Sequence, residues 1–197
     1  MDHNLPDVKR VVTGHNAQGQ STPIIVDDAL MGPTPGSENP AKFARLWMTK
    51  ETPASNDDQK TDFKDVMPER LGFIQPSGSH AFIIDMPPGR RGPTHRTSSI
   101  DYIILSKEVK AVDFLLSGSV TLLLDSDEHS SSPDAGTTVS VPGSIIVQRG
   151  TKHTWENRST TEWARFVTVV LDAKPVELEV DKDGKKEVDV LKEGFDT

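Results

Sequence analysis

Cysteine does not occur among the 197 residues, so disulfides, thiolate zinc sites, iron–sulfur clusters and a cysteine nucleophile are all excluded. Any metal would have to be held by imidazole, carboxylate, amide or water. Cationic residues are also in deficit: 22 Lys and Arg stand against 30 Asp and Glu, a net charge of −8, and no basic stripe interleaved with aromatics offsets it. Such a chain repels a phosphate backbone, which argues against nucleic acid as a partner. Long apolar runs are missing too. No stretch reaches the roughly 18 apolar residues that a bilayer crossing needs, and the opening MDHNLPDVKRVVTGHNAQGQ has neither an apolar signal core nor an Arg-rich amphipathic pattern. The expectation is a soluble cytoplasmic protein with no membrane partner.

What the sequence does hold in quantity is punctuation, 14 Gly and 14 Pro, which disfavours long helices or a bundle. Short β-favouring runs recur between the turns: VKRVVTG (8–14), TPIIVDDAL (22–30), FARLWMT (43–49), LGFIQ (71–75), HAFIIDM (80–86), IDYIIL (100–105), SVTLLLD (119–125), TTVSV (137–141), SIIVQ (144–148) and ARFVTVVLD (164–172). Spacing of this kind predicts an all-β sandwich or barrel rather than strand–helix alternation. The one helix candidate is short and lies within DQKTDFKDVMPERL, where Pro68 limits it. MGPTPGSENP (31–40) reads as a connector. One ordinary domain results: 1–64 as an N-terminal arm and strands packing on the barrel, 65–172 as the barrel, and 173–197 as a charged hairpin or tail, its two period-two runs separated by DKDGK.

Two polar stripes stand out. In PTHRTSSIDY the alternation of an extended strand puts His95, Thr97, Ser99 and Asp101 on one face. A wholly polar face of this kind cannot be buried against an apolar core without pairing each group, so it faces solvent or a polar cavity. In QRGTKHTWENRS, Thr151, His153, Trp155 and Asn157 share a face if the segment is extended, and Gly150 permits a tight turn before it. Together the stripes supply two imidazoles and a carboxylate, the ligand types of a facial two-His-one-carboxylate site.

PGRRGPTHRTSSIDY and PGSIIVQRGTKHTWEN resemble the two signature motifs of the cupin superfamily, G(X)5HXH(X)3–4E(X)6G and G(X)5PXG(X)2H(X)3N. Gly89, five residues and His95 fit the opening of the first; Thr97 stands where the second His is usual and Asp101 where the Glu is usual. In the second, Gly150, His153 and Asn157 fit, Gln148 replaces the Pro, and Gly143 is one residue closer than usual. HRTSSIDY with VQRGTKHTW, and upstream VVTGHNAQGQ and FARLWMTKETPASN, further resemble a subgroup of small single-domain bacterial and fungal cupins, so that the likeness covers roughly residues 8–172.

This resemblance implies a double-stranded β-helix, the cupin jelly roll, with both stripes at the barrel mouth. It implies a divalent metal ion (Fe, Mn, Zn or Ni), with His95, Asp101 and His153 as ligands and Gln148 as a possible amide ligand; a metal-free site remains the alternative. Thr97, Ser99, Trp155 and Arg91 are expected to line the substrate pocket. Trp155 reads equally as an ordinary core or rim residue, His80 as a structural histidine and Asn157 as a backbone tie. The implied activity is that of a cupin-type lyase of secondary metabolism, decarboxylating or dehydrating a small oxygenated organic acid or aromatic metabolite. An iron-dependent dioxygenase, a metal-free acid–base dehydratase or isomerase, and a non-catalytic small-molecule-binding cupin are the alternatives. A homodimer is expected. One departure concerns spacing: 16 residues separate Asp101 from Gly118 where the family has six, and deleting LSKEVKAVDF (105–114) would restore the register, so that segment is either a lid or a gene-model artefact.

Overall fold

The computed structural model describes residues 5–29, 31–33, 40–56, 61–66, 72–105, 119–128, 135–139, 143–182 and 185–195. The extra segment 105–114 lies outside them beyond Leu105, as do His3 and His129. In chain order the elements are β1 (Val8–His15), β2 (Ser21–Ala29), β3 (Gly32–Pro33), β4 (Lys42–Thr49), α1 (Phe63–Val66), β5 (Ser79–Met86), β6 (His95–Arg96), β7 (Ser99–Leu105), β8 (Val120–Leu124), α2 (Asp125–Glu128), β9 (Thr137–Val139), β10 (Ile145–Arg149), β11 (His153–Glu156), β12 (Ala164–Asp172), β13 (Glu177–Lys182), β14 (Lys185–Val190) and β15 (Gly194–Phe195). No helix among the described residues is long and apolar enough to cross a membrane.

Two antiparallel sheets form the jelly roll, one in the order β10-β7-β12-β5-β4-β3 and the other β15-β6-β11-β8-β9. Their inner faces meet in one core: Met86, Ile103, Leu105 and Phe166 from the first pack with Val120, Leu122 and Trp155 from the second. Burial of each large side chain contributes about 1.5–3 kcal/mol, and the period-two pattern of β5, β7 and β12 places these residues inward together. The architecture is the all-β double-stranded β-helix that the alternation and the motifs imply.

Registers across the six-stranded sheet set the inward rows. His80, Val170, Asp101 and Gln148 lie side by side on β5, β12, β7 and β10. The next row is Arg45, Phe82, Thr168, Ile103 and Ile146. A bulge between Arg45 and Trp47 on β4 shifts the alternation there.

The outer face of the same sheet is covered by the N-terminal arm. Ala29, Ala44 and Ile83 are buried there against Val8, Met31, Leu46 and Val167. Arg10 ties the β1–β2 hairpin to the α1 region by bonding Asp27 (Nε–Oδ1 2.8 Å) and Asp62 (Nη1–Oδ1 2.9 Å). Within the expected arm, β4 pairs with β5 along its length and so is a member of the barrel sheet. The expected strand at 71–75 is absent from Gly72–Gln75, whose chain bends and sets Phe73 on the cavity wall while leaving it 40% exposed. Asp125, at the end of the expected strand run 119–125, begins instead a single helical turn, Asp125–Glu128, in which the Asp127 carboxylate accepts from the Leu124 N–H (2.9 Å).

Candidate active site

The core does not fill the barrel. A cavity of about 900 Å³ remains, of the size that small-molecule sites have, and its wall is mostly apolar. The polar side chains cluster: His95, Thr97, Asp101 and His153 all line it.

The two polar stripes reach this cavity by different routes. PTHRTSSIDY is not one strand. The chain bends at Thr97–Ser98, leaving His95 on β6 in the five-stranded sheet and Asp101 on β7 in the six-stranded sheet. Thr97 and Asp101 face the cavity, but Ser99 does not line it; its hydroxyl donates to Thr97 Oγ1 at 2.8 Å in the buried corner that the bend creates. In the second stripe Gly150, at φ 58°, turns the chain into β11. A side chain there would meet Val176 Cγ2 at 2.8 Å. From this turn β11 projects His153 and Trp155 into the cavity.

His95 and His153 are register partners across β6 and β11, and their ring centroids are 4.3 Å apart. Each ring is oriented by a carbonyl from its own chain: His95 Nδ1 lies 3.0 Å from Pro93 O and His153 Nδ1 lies 3.0 Å from Thr151 O. A carbonyl only accepts, so both Nδ1 atoms carry hydrogen and both Nε2 atoms carry the lone pair. Burial holds both imidazoles below their ordinary range, His153 down to about 4 with the His95 ring adding to the effect, so both are neutral at pH 7. Asp101 is displaced the opposite way. Burial pushes it up to about 6, with the neighbouring Ser99 a smaller influence in the opposite direction.

Gln148 is buried between the carboxyl and the imidazole. Its Nε2 lies 3.4 Å from Asp101 Oδ2, 2.9 Å from His153 Nδ1 and 3.1 Å from His153 Nε2. With His153 Nδ1–H committed to Thr151, the amide N–H donates to the Nε2 lone pair. The expected ligand set therefore does not assemble in this arrangement. The amide stands between Asp101 and His153, Thr97 takes the place of an imidazole, and among the described residues no three His, Asp or Glu side chains converge as a metal site requires. Gln148 is not among the residues that line the cavity; its amide nitrogen bridges Asp101 and His153, while its buried Oε1 accepts no hydrogen bond within the protein.

Arg91, expected in the pocket, is exposed and forms a backbone bridge to Glu156; its neighbour Arg90 lines the cavity instead. Trp155 lines the cavity while belonging to the core, 5.7 Å from the Phe166 ring and 6.0 Å from His153. His80 is fully buried beside the site, with Nδ1 3.2 Å from Phe73 O and its ring 5.0 Å from Phe82.

Asn157 ties the backbone. Its Nδ2 donates to Met86 O (3.0 Å) and Glu162 O (2.8 Å), and its Oδ1 accepts from the Ser159 N–H (3.0 Å). Asn157→Ala is expected to cost about 2 kcal/mol, the penalty for buried carbonyls left without donors, read as a lowered urea midpoint at constant slope.

Residue patterns alone do not single out the aromatic wall. Phe73 stacks on His95 at 6.1 Å and meets Phe43 (6.3 Å) and Phe82 (5.7 Å), while Arg45 lies 4.9 Å over the Phe43 ring. The signal was the alternation of FARLWMT and HAFIIDM, but an inward ring at a cavity and one in a packed core look alike in sequence.

No family model matches the chain. It is 33% identical over 177 residues to Phomopsin biosynthesis cluster protein D of Diaporthe leptostromiformis, spanning 89% of this chain and 82% of that protein. It is 31% identical over 188 residues to the cupin-domain-containing oxidoreductase srdD of Neurospora crassa, spanning 92% and 82%. To the cupin-domain-containing oxidoreductase fogC of Aspergillus ruber it is 31% identical over 176 residues, spanning 87% and 76%. With the jelly roll, the two motif segments meeting at one cavity, and relatives of this similarity over nearly the whole chain, the protein belongs to the cupin superfamily.

Proposed function

We propose that this cupin is a secondary-metabolite enzyme that moves protons on a flat, oxygenated, unsaturated substrate, dehydrating or tautomerising it by acid–base chemistry. The observation that carries this reading is the pairing, at the polar end of an apolar cavity, of neutral imidazoles 4.3 Å apart with a buried carboxyl raised to about 6. Groups whose environments push their proton affinities apart are suited to opposite roles. His95 Nε2 takes the proton from a carbon next to a carbonyl, and the electron pair passes to the carbonyl oxygen as an enolate. The Thr97 hydroxyl is placed to donate to that oxygen. The enolate then re-forms the carbonyl and expels a β-hydroxyl, which takes the Asp101 proton and leaves as water; solvent restores both groups. In tautomerisation the proton returns to a different atom and nothing leaves. His153, held by Thr151 and Gln148, fixes the His95 ring from beneath. The wall of Phe43, Phe73 and Phe82 suits a flat ligand, and the biosynthesis-cluster names of relatives agree with a secondary-metabolite substrate.

Hydrogen–deuterium exchange at C1 of 2-tetralone in D₂O, followed by proton NMR, tests the reading with a bicyclic ketone of the right chemistry. The protein is expected to accelerate exchange above buffer, equally before and after dialysis against EDTA. Absence of acceleration, loss of it on chelation, or oxygen uptake matching turnover would each overturn the reading, the last in favour of the redox chemistry that the relatives' names carry.

A further inference from the structure

The strand that carries His95 is only two residues long, and a strand that short has little of its own to hold it in place. On one side it pairs with β11 through His153. On the other side it pairs with the C-terminal segment: β15 sets Gly194 opposite Arg96 and Phe195 opposite His95. Next to this pairing the Glu193 carboxylate accepts from the Ser98 N–H at 3.0 Å, at the bend that follows β6.

The path that brings Glu193 there is indirect. After β12 the Ala173 N–H donates to Ser98 O (3.0 Å), and Val176 then packs on the Gly150 turn, where no Cβ would fit. The chain runs out and back through the β13–β14 hairpin, and the Leu191 N–H donates to Val176 O (2.9 Å), closing the excursion before β15. Leu178, Val188 and Val190 of this hairpin are exposed, so its side chains add little to the core; what it accomplishes is the return of residues 191–195 to the His95 strand. The same corner is tied a third time by Arg96, whose Nη1 donates to Gly150 O (2.8 Å).

We infer that Glu193 and β15 form a C-terminal strap that sets the position of the His95 imidazole, which makes Glu193 a positioning residue. The kinetic part rests on the acid–base reading above; the structural part stands apart from it. A carboxylate accepting a backbone N–H is a charge-assisted bond, and releasing it frees the bend between His95 and Asp101. Misplacement of a reacting group by about 1 Å costs up to about a hundredfold in rate.

The experiment compares the full chain with Glu193→Ala and Glu193→Gln. In Glu193→Ala, amide exchange at Ser98 is expected to quicken about tenfold and the His95 ring signals to shift while those of His15 stay put. The kcat for 2-tetralone exchange is expected to fall about tenfold at unchanged KM and unchanged urea midpoint. Glu193→Gln, which keeps the acceptor oxygen, is expected to restore all three. Unaltered His95 ring signals in Glu193→Ala would overturn the strap, as would quickened Ser98 exchange with kcat intact. A wild-type protein inert toward 2-tetralone would count against the acid–base reading alone, and the His95 signals would still decide the strap.

Discussion

Asp85→Ala is expected to destabilise the protein by about 3–5 kcal/mol, the cost of breaking a buried ion pair from one side. Asp85 and Arg165 are register partners on β5 and β12, facing outward beneath the N-terminal arm, with Nε–Oδ1 and Nη2–Oδ2 both 2.6 Å. Asp85 has no exposure and Arg165 only 7%, so the pair is far from the solvent that makes surface ion pairs weak. Arg165 also donates from Nη1 to Pro6 O (2.7 Å), which pins the start of the arm. Without its carboxylate the guanidinium is left buried with no counter-ion. It must stay charged and poorly solvated, or swing out and release Pro6. Replacing both partners, Asp85→Leu with Arg165→Met, removes the charge together with its partner and is expected to recover most of the loss. Urea unfolding of the two singles and the double measures this; a single variant within about 1 kcal/mol of wild type would show that the pair is screened after all.

The second large effect is kinetic. His95→Ala is expected to slow 2-tetralone exchange by about a hundredfold to ten-thousandfold, the usual contribution of a positioned general base, with the fold retained because the ring lies on the cavity wall and not in the packed core. The pH profile carries the sign of the assignment. His95 works as the neutral ring, and burial holds it below its usual 6.5, so kcat/KM rises as the pH climbs through a value under 6.5. Asp101 works as the acid, and burial lifts it to about 6, so activity in a dehydration falls as the pH passes 6. The maximum is thus mildly acidic. In Asp101→Asn the alkaline limb is expected to vanish together with most dehydration, while simple carbon-proton exchange survives. A dehydration profile flat from pH 5 to 8 would refute the roles given to both groups.

How much of this could be read from sequence differs by element. β7 was legible because it alternates cleanly and buries one face, and β5 and β12 because each is a β-branched and aromatic run bounded by turn residues, although the arm covers their second face too. The two histidines and Asp101 were legible because glycine turns and motif spacing fix them locally. The break between β6 and β7 was not: His95, Thr97, Ser99 and Asp101 alternate as one strand, and only sheet membership, a long-range property, splits them. That split takes Ser99 off the cavity wall. Gln148 comes to lie beside Asp101 through β10–β7 register, which pairs residues 47 apart in sequence and leaves no local trace. Arg90 and Arg91 exchange roles for a related reason, since a turn residue's direction depends on where the chain leaves the barrel, and here Arg91 bridges outward to Glu156. The C-terminal hairpin was visible as two charged alternating runs, but its return to the His95 strand was not.

The bend at Thr97–Ser98 has a mechanical side. Because His95 rides on one sheet and Asp101 on the other, the gap between imidazole and carboxyl is set by how the two sheets are spaced. The five residues between them, 96–100, carry the chain from one sheet to the other. On the acid–base reading, a ligand is expected to engage both groups only if its thickness matches the spacing between the two sheets.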